Sequence, residues 1–297
     1  MLGEPAEVWS ALATVATQDL SIARALEPHI DALTILAEAR SPIVEYADRY
    51  RWGVYAAEGG DTPLRARFDC DGWRLTGVKP WCSLARVLDR ALVTAWTSKD
   101  SRGLFAVDLT DPRISIGAEP WVARGLPTVD SPSITCADVD AIPVGDDGWY
   151  FDRPGFAAGG IRVAAVWFGG AVGVGRTMRT TAVARADLDQ IGRMHLGSVD
   201  AALHRARCVL ADAGRRVSAA TADEAWVIAL HVRNAVRQAT EEVLERAAHA
   251  LGPAPLVRDA AHAARVADLT VYLRQEHAER DAAAIGDAVR TGRGLVL

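Results

Sequence analysis

The sequence predicts an α+β chain in three parts: N-terminal helices, a central antiparallel β-domain and a C-terminal four-helix bundle. Three observations carry this reading. Residues 4 to 40 place apolar side chains at helical spacing. Between about 50 and 155 the texture changes: seven of the nine tryptophans lie from Trp52 to Trp167, and turn signals recur every 8 to 12 residues. From about 160 the helical period returns and holds. The expected domains are residues 1–48, a partial helical domain, 49–157, the β-domain, and 158–297, the bundle.

The first part, "AEVWSALATVATQDLSIARALEPHIDALTILAEA", breaks near Gln18-Asp19 and again at Pro28, whose ring removes an intrahelical donor. Two or three short helices fit. In the middle part "WRLTGVK", "RALVTAW", "GLFAVDL", "ISIG" and "SITCADV" are each short and rich in β-branched or apolar residues. The Asp71-Gly72 step suits a tight hairpin turn, and Asp111-Pro112 and Gly145 to Gly148 mark further loops.

In the last part, Leu188, Ile191, His195, Val199, Ala202, Ala206, Val209 and Ala213 form one long stripe, with His195 expected as a satisfied core histidine. The next helix opens with a capping box, Thr221 and Glu224. It runs through Val232, Val236, Ala239, Val243 and Ala247, then stops at Gly252-Pro253. A final helix carries Ala263, Val266, Thr270, Leu273 and His277 on one face. With a helix from about 160 to 178, these complete an antiparallel four-helix bundle.

Half the residues are hydrophobic and the formal charge is -5. No run of about 18 apolar residues occurs, so no membrane-spanning helix is expected. The start "MLGEPAEVWS" lacks the basic region of a signal peptide. Cys70, Cys82, Cys136 and Cys208 form no CxxC pair and read as buried free thiols, as expected in a reducing cytoplasm. A mildly acidic chain without a basic run gives no support to nucleic-acid binding, although local arginine patches leave room for a small anionic ligand.

"GGAVGVGR" (169–176) lacks the GxGxxG order, and small residues that let one helix pack closely on another explain it. No P-loop, HExxH, GxSxG or metal-ligand spacing is present. His277 sits in "RQEHAERD" with Glu276, Glu279, Arg280 and Asp281. Carboxylates there would hold the imidazole and let it titrate near neutral pH; a salt-bridged helix surface is the competing explanation. "LGPAPLVRD" is a helix stop, or a turn whose amides and following helix N-terminus meet a phosphate. The sharpest question is "PWCS" (80–83). An indole, a thiol and a hydroxyl interrupt a sheet, either as an ordinary strand end or as a wall for something flat.

With these residues in view, the chain resembles the acyl-CoA dehydrogenase family of flavoproteins. "GWRLTGVKPWCSLARVLDRALVTA" is similar to the family's middle-domain segment G-x-x-L-x-G-x-K-x-[WF]-[IC]-[TS]-x-[AG], which borders the isoalloxazine ring. "DGWYFDRPGFAAGGIRVAAVWFGGAVGVGR" resembles its passage from the last strand into the first bundle helix. The resemblance implies FAD as cofactor, with Trp81, Cys82 and Ser83 against the flavin. It also implies that Leu251, Gly252 and Pro253 reach the adenosine side of FAD across a subunit interface, hence a homodimer, homotetramer or hetero-oligomer.

Two departures qualify what is carried over. The N-terminal helical part is shorter than the family's, and the usual Tyr-Glu-Gly-Thr catalytic glutamate motif is replaced by "YLRQEHAERD". The latter is closer to oxygen-using relatives of the dibenzothiophene-oxidising type, which carry a His-Asp pair. The resemblance therefore implies an FAD-dependent α,β-dehydrogenase of an acyl thioester, with Glu276 as base. The alternatives are a flavin monooxygenase acting on another hydrophobic substrate through His277, or a non-catalytic subunit paired with an active homologue.

Overall fold

The computed structural model describes residues 3–60 and 62–296, which divide into two compact units. One comprises residues 25–122 and 127–156; the other comprises residues up to 24, 123–126 and 157 onward.

The first unit is built around strands β1 (Trp52–Tyr55), β2 (Arg65–Asp69), β3 (Gly72–Lys79), β4 (Arg90–Trp96), β5 (Arg102–Asp108), β6 (Ile114–Ile116) and β7 (Ile134–Pro143). Pairing runs β4-β5-β7-β3-β2 and returns to β4, so the sheet closes on itself. One edge of β4 is shared: β1 takes residues 90–93 and β2 takes Trp96. One edge of β7 is likewise divided between β6 and β5. The ladders are antiparallel, as expected, except for β1–β4 and the single β2–β4 pair, which are parallel. "RALVTAW" and "GLFAVD" read as continuous apolar runs because both their faces are covered. Inside the ring lie Leu75, Cys82, Ala91, Val93, Phe105, Val107 and Cys136. Outside it, Leu92, Leu104 and Ala106 pack with Ile35, Leu36, Trp52 and Tyr150.

The hairpin falls one residue earlier than the Asp71-Gly72 step suggests. Asp69 pairs with Gly72, so Cys70 and Asp71 form the loop and Gly72 (φ +131°) opens β3. A bulge lies further along, where Asp138 (φ +61°) is the extra residue between Ala137 and Val139. Helix α2 (Leu20–Glu38) contributes its second half to this unit, and α3 (Trp149–Asp152) follows the sheet.

The helical breaks near the N-terminus were only half as expected. Asp19 ends α1 (Pro5–Gln18) with an extended backbone and then caps α2, its carboxylate accepting from Ile22 N at 3.0 Å. Pro28, by contrast, lies inside α2 without ending it. Its ring removes one hydrogen bond, but Ala32, Ile35 and Leu36 beyond it are fully buried, and that packing outweighs the lost bond.

The second unit is helical: α1, the start of α2, then α4 (Gly155–Val183), α5 (Gln190–Arg216), α6 (Ala222–Leu251), the short α7 (Ala254–Arg258), α8 (Ala260–Tyr272) and α9 (Glu279–Arg290). Helix α4 is longer than the 160–178 expected. Among the described residues it is the one helix long and apolar enough to cross a membrane, and 67% of that apolar window is buried inside the protein. Its small residues do what their spacing suggested: a Cβ at Gly169 would strike Ala13 and Ala16 of α1, and one at Gly173 would strike Thr17 and Arg265. Helices α5 and α6 run antiparallel, with the His195 ring 5.9 Å from His249 and Arg205 paired to Glu242 at 2.6 Å. The Thr221–Glu224 capping box is present, with Thr221 N donating to Glu224 at 2.9 Å and Glu224 N to Thr221 Oγ1 at 3.3 Å. Segment 123–126 is pinned to α8, Leu126 N donating to Asp268 at 2.5 Å.

Helix α8, expected to be the final helix and to carry His277, differs from expectation. It ends at Tyr272, turns through a short 3-10 segment at Leu273–Gln275, and leaves His277 outside any helix.

Gly77 offers a test of the barrel. Its φ is +123°, and a Cβ there would collide with the Pro63 carbonyl. Gly77→Ala is expected to cost more than about 1 kcal/mol in urea unfolding; an unchanged midpoint would contradict the geometry.

Candidate functional site

The "PWCS" stretch leaves the end of β3 beside residues 130–132. Cys82 N donates to Pro132 O and Leu84 N to Asp130 O, both at 2.8 Å, and the Ser83 and Ser131 hydroxyls share a hydrogen bond of 2.8 Å. Trp81 and Leu84 both sit at φ +61°, a region that bulky side chains rarely enter. Holding a residue there costs about 1–3 kcal/mol, and such strain clusters at functional sites. The strain turns Trp81 outward, 60% exposed, with the Ser83 hydroxyl two residues on. Cys82 takes the opposite direction. Its side chain is fully buried in the barrel, and burial pushes the thiol up to about 12, as it does that of Cys136. Of the three residues singled out in the sequence, Trp81 is exposed, Ser83 is half-buried with its hydroxyl bonded to Ser131, and Cys82 belongs to the core.

Beneath this strand end lies a feature the motif reading passed over. Lys79 is 1% exposed, its ammonium 2.5 Å from Glu58 and 2.8 Å from the Thr94 hydroxyl. Glu58 also accepts from Trp96 Nε1 at 3.1 Å and pairs with Arg102 at 3.2 Å. Burial lowers the Lys79 pKa and the Glu58 contact partly restores it; burial raises that of Glu58, but Lys79, Trp96 and Arg102 together bring it below its ordinary value. The signal was in the strand period: Lys79 shares parity with inward Leu75.

In the helical unit, Glu276 and His277 fall in one ionic cluster but in different surroundings. The Glu276 side chain is wholly buried, with Oε2 3.0 Å from Arg237 Nε and accepting from Ala278 N at 2.6 Å. Its other oxygen is enclosed without a hydrogen-bond partner among the described residues. His277 is 65% exposed, with Nδ1 3.7 Å from Asp281. Asp281 is also 3.7 Å from Arg233, a buried side chain that donates to the Gly160 and Gln275 carbonyls at 3.2 Å and lies over the Trp167 ring at 5.0 Å. Arg237 also pairs with Glu241 at 2.5 Å. Burial lowers the pKa of Arg233, against the pull of Asp281 and Glu276. Neither arginine was recognised in the sequence, although Arg233 and Arg237 recur at i, i+4 within an apolar helix.

Leu251, Gly252 and Pro253 form the end of α6. Gly252 caps the helix at φ +62° with open space where a side chain would be. Leu251 lines a cavity of about 480 Å³ with Arg185, His195 and His249. His195 is buried as expected, but its Nδ1 has no hydrogen-bond partner among the described residues, so it is not the satisfied histidine the stripe suggested. Among the described residues, the grouping of metal-capable side chains is Asp69, Cys70 and Asp71 at the hairpin loop.

No family model matches this sequence, and no curated protein matches it either. Its fold is nevertheless that of known enzymes. TdsC from Paenibacillus sp., a dibenzothiophene monooxygenase also solved with FMN and indole, superposes with a TM-score of 0.85 at 17% identity, covering 98% of this chain and 84% of that one. The nitrososynthase of Micromonospora carbonacea superposes with a TM-score of 0.79 at 17% identity, covering 97% and 82%. Butyryl-CoA dehydrogenase from Megasphaera elsdenii gives 0.83 at 16% identity, covering 95% and 81%. The chain has the acyl-CoA dehydrogenase fold.

The buried thiols supply a direct check on the barrel. Cys70, in the hairpin loop, and Cys208, on the outer face of α5, are exposed rather than buried as the sequence suggested. At pH 8 a thiol reagent is therefore expected to titrate these two quickly and all four only after unfolding. Because Cys82 and Cys136 ionise near 9.0 when unfolded and near 12 when folded, stability should fall as pH climbs through that window. Four fast thiols in the native protein would refute the placement of Cys82 and Cys136.

Proposed function

We propose that this chain is a flavin-dependent oxidoreductase of the oxygen-using kind, a monooxygenase acting on a small hydrophobic substrate. The observation that carries the flavin is Trp81: a strained backbone spent on exposing a flat indole, with the Ser83 hydroxyl close by in the chain. That pair fits an isoalloxazine, which needs an apolar wall and polar contacts at its edge; the Cys82 thiol does not take part. A bound flavin would supply the redox chemistry. Two of the similar proteins, TdsC and KijD3, have been solved with FMN, whereas the family resemblance implies FAD, with Leu251, Gly252 and Pro253 toward its adenosine in an oligomer.

The choice of reaction rests on which group is free to move a proton. Glu276 is wholly buried and one of its oxygens is already held by Arg237 at 3.0 Å and by the Ala278 amide at 2.6 Å, so a substrate reaches it only by breaking those contacts. His277 keeps its imidazole in solvent, with Nδ1 3.7 Å from Asp281, so its ring is open to a reactant as that of Glu276 is not. A dehydrogenase of an acyl thioester is the second reading. It is favoured by the enclosed, unpartnered oxygen of Glu276, since a base for that reaction sits in a dry pocket.

The purified chain is expected to be yellow or to take up added flavin, and heat release followed by chromatography identifies FMN or FAD. Trp81→Ala should weaken flavin binding at least about tenfold while Trp81→Phe retains it, roughly the 1–3 kcal/mol of one stacked ring. Wild-type affinity in Trp81→Ala would remove the wall from this reading. Uptake of neither flavin would instead support a non-catalytic subunit.

The reaction is tested separately. His277→Ala should lower oxygen-dependent turnover by about 10²–10⁴ while Glu276→Gln leaves most of it. The reverse order, with bleaching by a thioester under nitrogen, would make the dehydrogenase reading correct.

A further inference from the structure

A large cleft in the helical unit lies apart from Glu276 and His277. It measures about 670 Å³ and is walled by α1, α4 and α5. That volume falls within the range of small-molecule sites, about 300–1,000 Å³. Its two ends differ in chemistry. Gly214 of α5 packs on Ala6 and Trp9, while Gly175 of α4 packs on Val199 and Leu203, so α5 runs against the other two helices. One end is therefore apolar, with Ala6, Trp9, Leu210 and Ala211; the other carries Arg176, Asp200 and His204, with Arg207 one turn along. Phe168 and Val172 line the floor between.

The charges from the polar end to the middle of the cleft are unbalanced. Arg176 and Arg207 are exposed, and neither has a carboxylate within ion-pair distance among the described residues; the Arg207 guanidinium contacts only the His204 ring, at 3.3 Å. Asp200 is the one acid in the lining. From Ala6 to Thr17 the wall of α1 runs about 16 Å at the helical rise. That is close to an extended chain of about a dozen carbons, given bonds of about 1.5 Å and their zigzag.

We propose that this cleft binds a single-chain anionic amphiphile, a medium- to long-chain carboxylate lying along α1 with its head at Arg176 and Arg207. Apart from the Ser10, Thr14 and Thr17 hydroxyls of α1 the walls are mainly apolar, which disfavours a purely polar anion, and the two cations select against a cationic head. The site is independent of the flavin reading, because none of its lining residues belongs to the flavin wall or to the Glu276 and His277 cluster.

The test is calorimetric titration of the full chain with dodecanoate, and with dodecyltrimethylammonium as the same tail under the opposite charge. Dodecanoate should bind saturably at about one per chain, at least about tenfold tighter than the cationic detergent. Arg176→Glu with Arg207→Glu should weaken dodecanoate at least about tenfold and narrow or reverse that preference. Ala211→Phe, which fills the apolar end, should abolish binding while circular dichroism shows the helices intact. The proposal fails if dodecanoate does not bind, if both detergents bind alike, or if the arginine pair can be reversed without effect. Should Ala211→Phe misfold, the exposed arginine variants decide alone.

Discussion

Two arginines on one face of α6 govern the helical unit. Moving a guanidinium out of water costs several kcal/mol unless a partner and hydrogen bonds replace the lost hydration. Arg233 is buried and Arg237 half-buried, one turn apart, and the chain around them is arranged to meet that demand. The Gly160 carbonyl comes from α4, the Gln275 carbonyl from the turn after α8, and the carboxylates of Glu276 and Asp281 from the turn and from α9. Here lies the reason α8 stops where it does. Had the helix continued to His277, the Gln275 carbonyl would be aimed along the helix axis, and Glu276 could not adopt the extended backbone (φ -86°, ψ 139°) that brings it to Arg237.

The β-unit obeys the same constraint on a smaller scale. Lys79 is carried inward by the period of β3, and its charge obliges the 56–60 loop to return so that Glu58 can meet it. Thr94 and Trp96 of β4 complete the shell around that pair. The next residues, Pro80 and Trp81, start from this fixed point, which is how a strained backbone can be held steadily enough to present an indole to solvent. In both units, then, a cation sequestered from water fixes the segment bearing the candidate groups.

What was legible in the sequence divides along physical lines. The helix–sheet–helix order, the capping box at Thr221 and the small-residue packing of α4 were readable, because each depends on neighbours within a few residues. The "PWCS" interruption was readable as a place, but the opposite directions of Trp81 and Cys82 depend on φ, which composition does not encode. Pro28 misled because the lost hydrogen bond is local while the packing that overrides it comes from Ile35, Leu36 and strands far along the chain. The roles of Arg233, Arg237 and Lys79 were hidden for the same reason: apart from Glu241, one turn from Arg237, their partners lie 15 to 73 residues away. β1 was passed over because its four residues pair in parallel with β4, a ladder that no adjacent turn announces.

The closure of the barrel carries a mechanical consequence. Around most of the ring, neighbouring strands share long ladders, such as the seven pairs joining β4 to β5. Between β2 and β4 the ring is completed by a single parallel pair, Arg65 with Trp96, reinforced where Trp96 N donates to Leu64 O at 2.9 Å. A closed sheet opens first where the fewest bonds must break together. The seam at Trp96 is therefore the hinge line of this unit. It lies directly against Glu58, the residue that anchors Lys79, so breathing of the barrel and the steadiness of the Trp81 platform are mechanically linked.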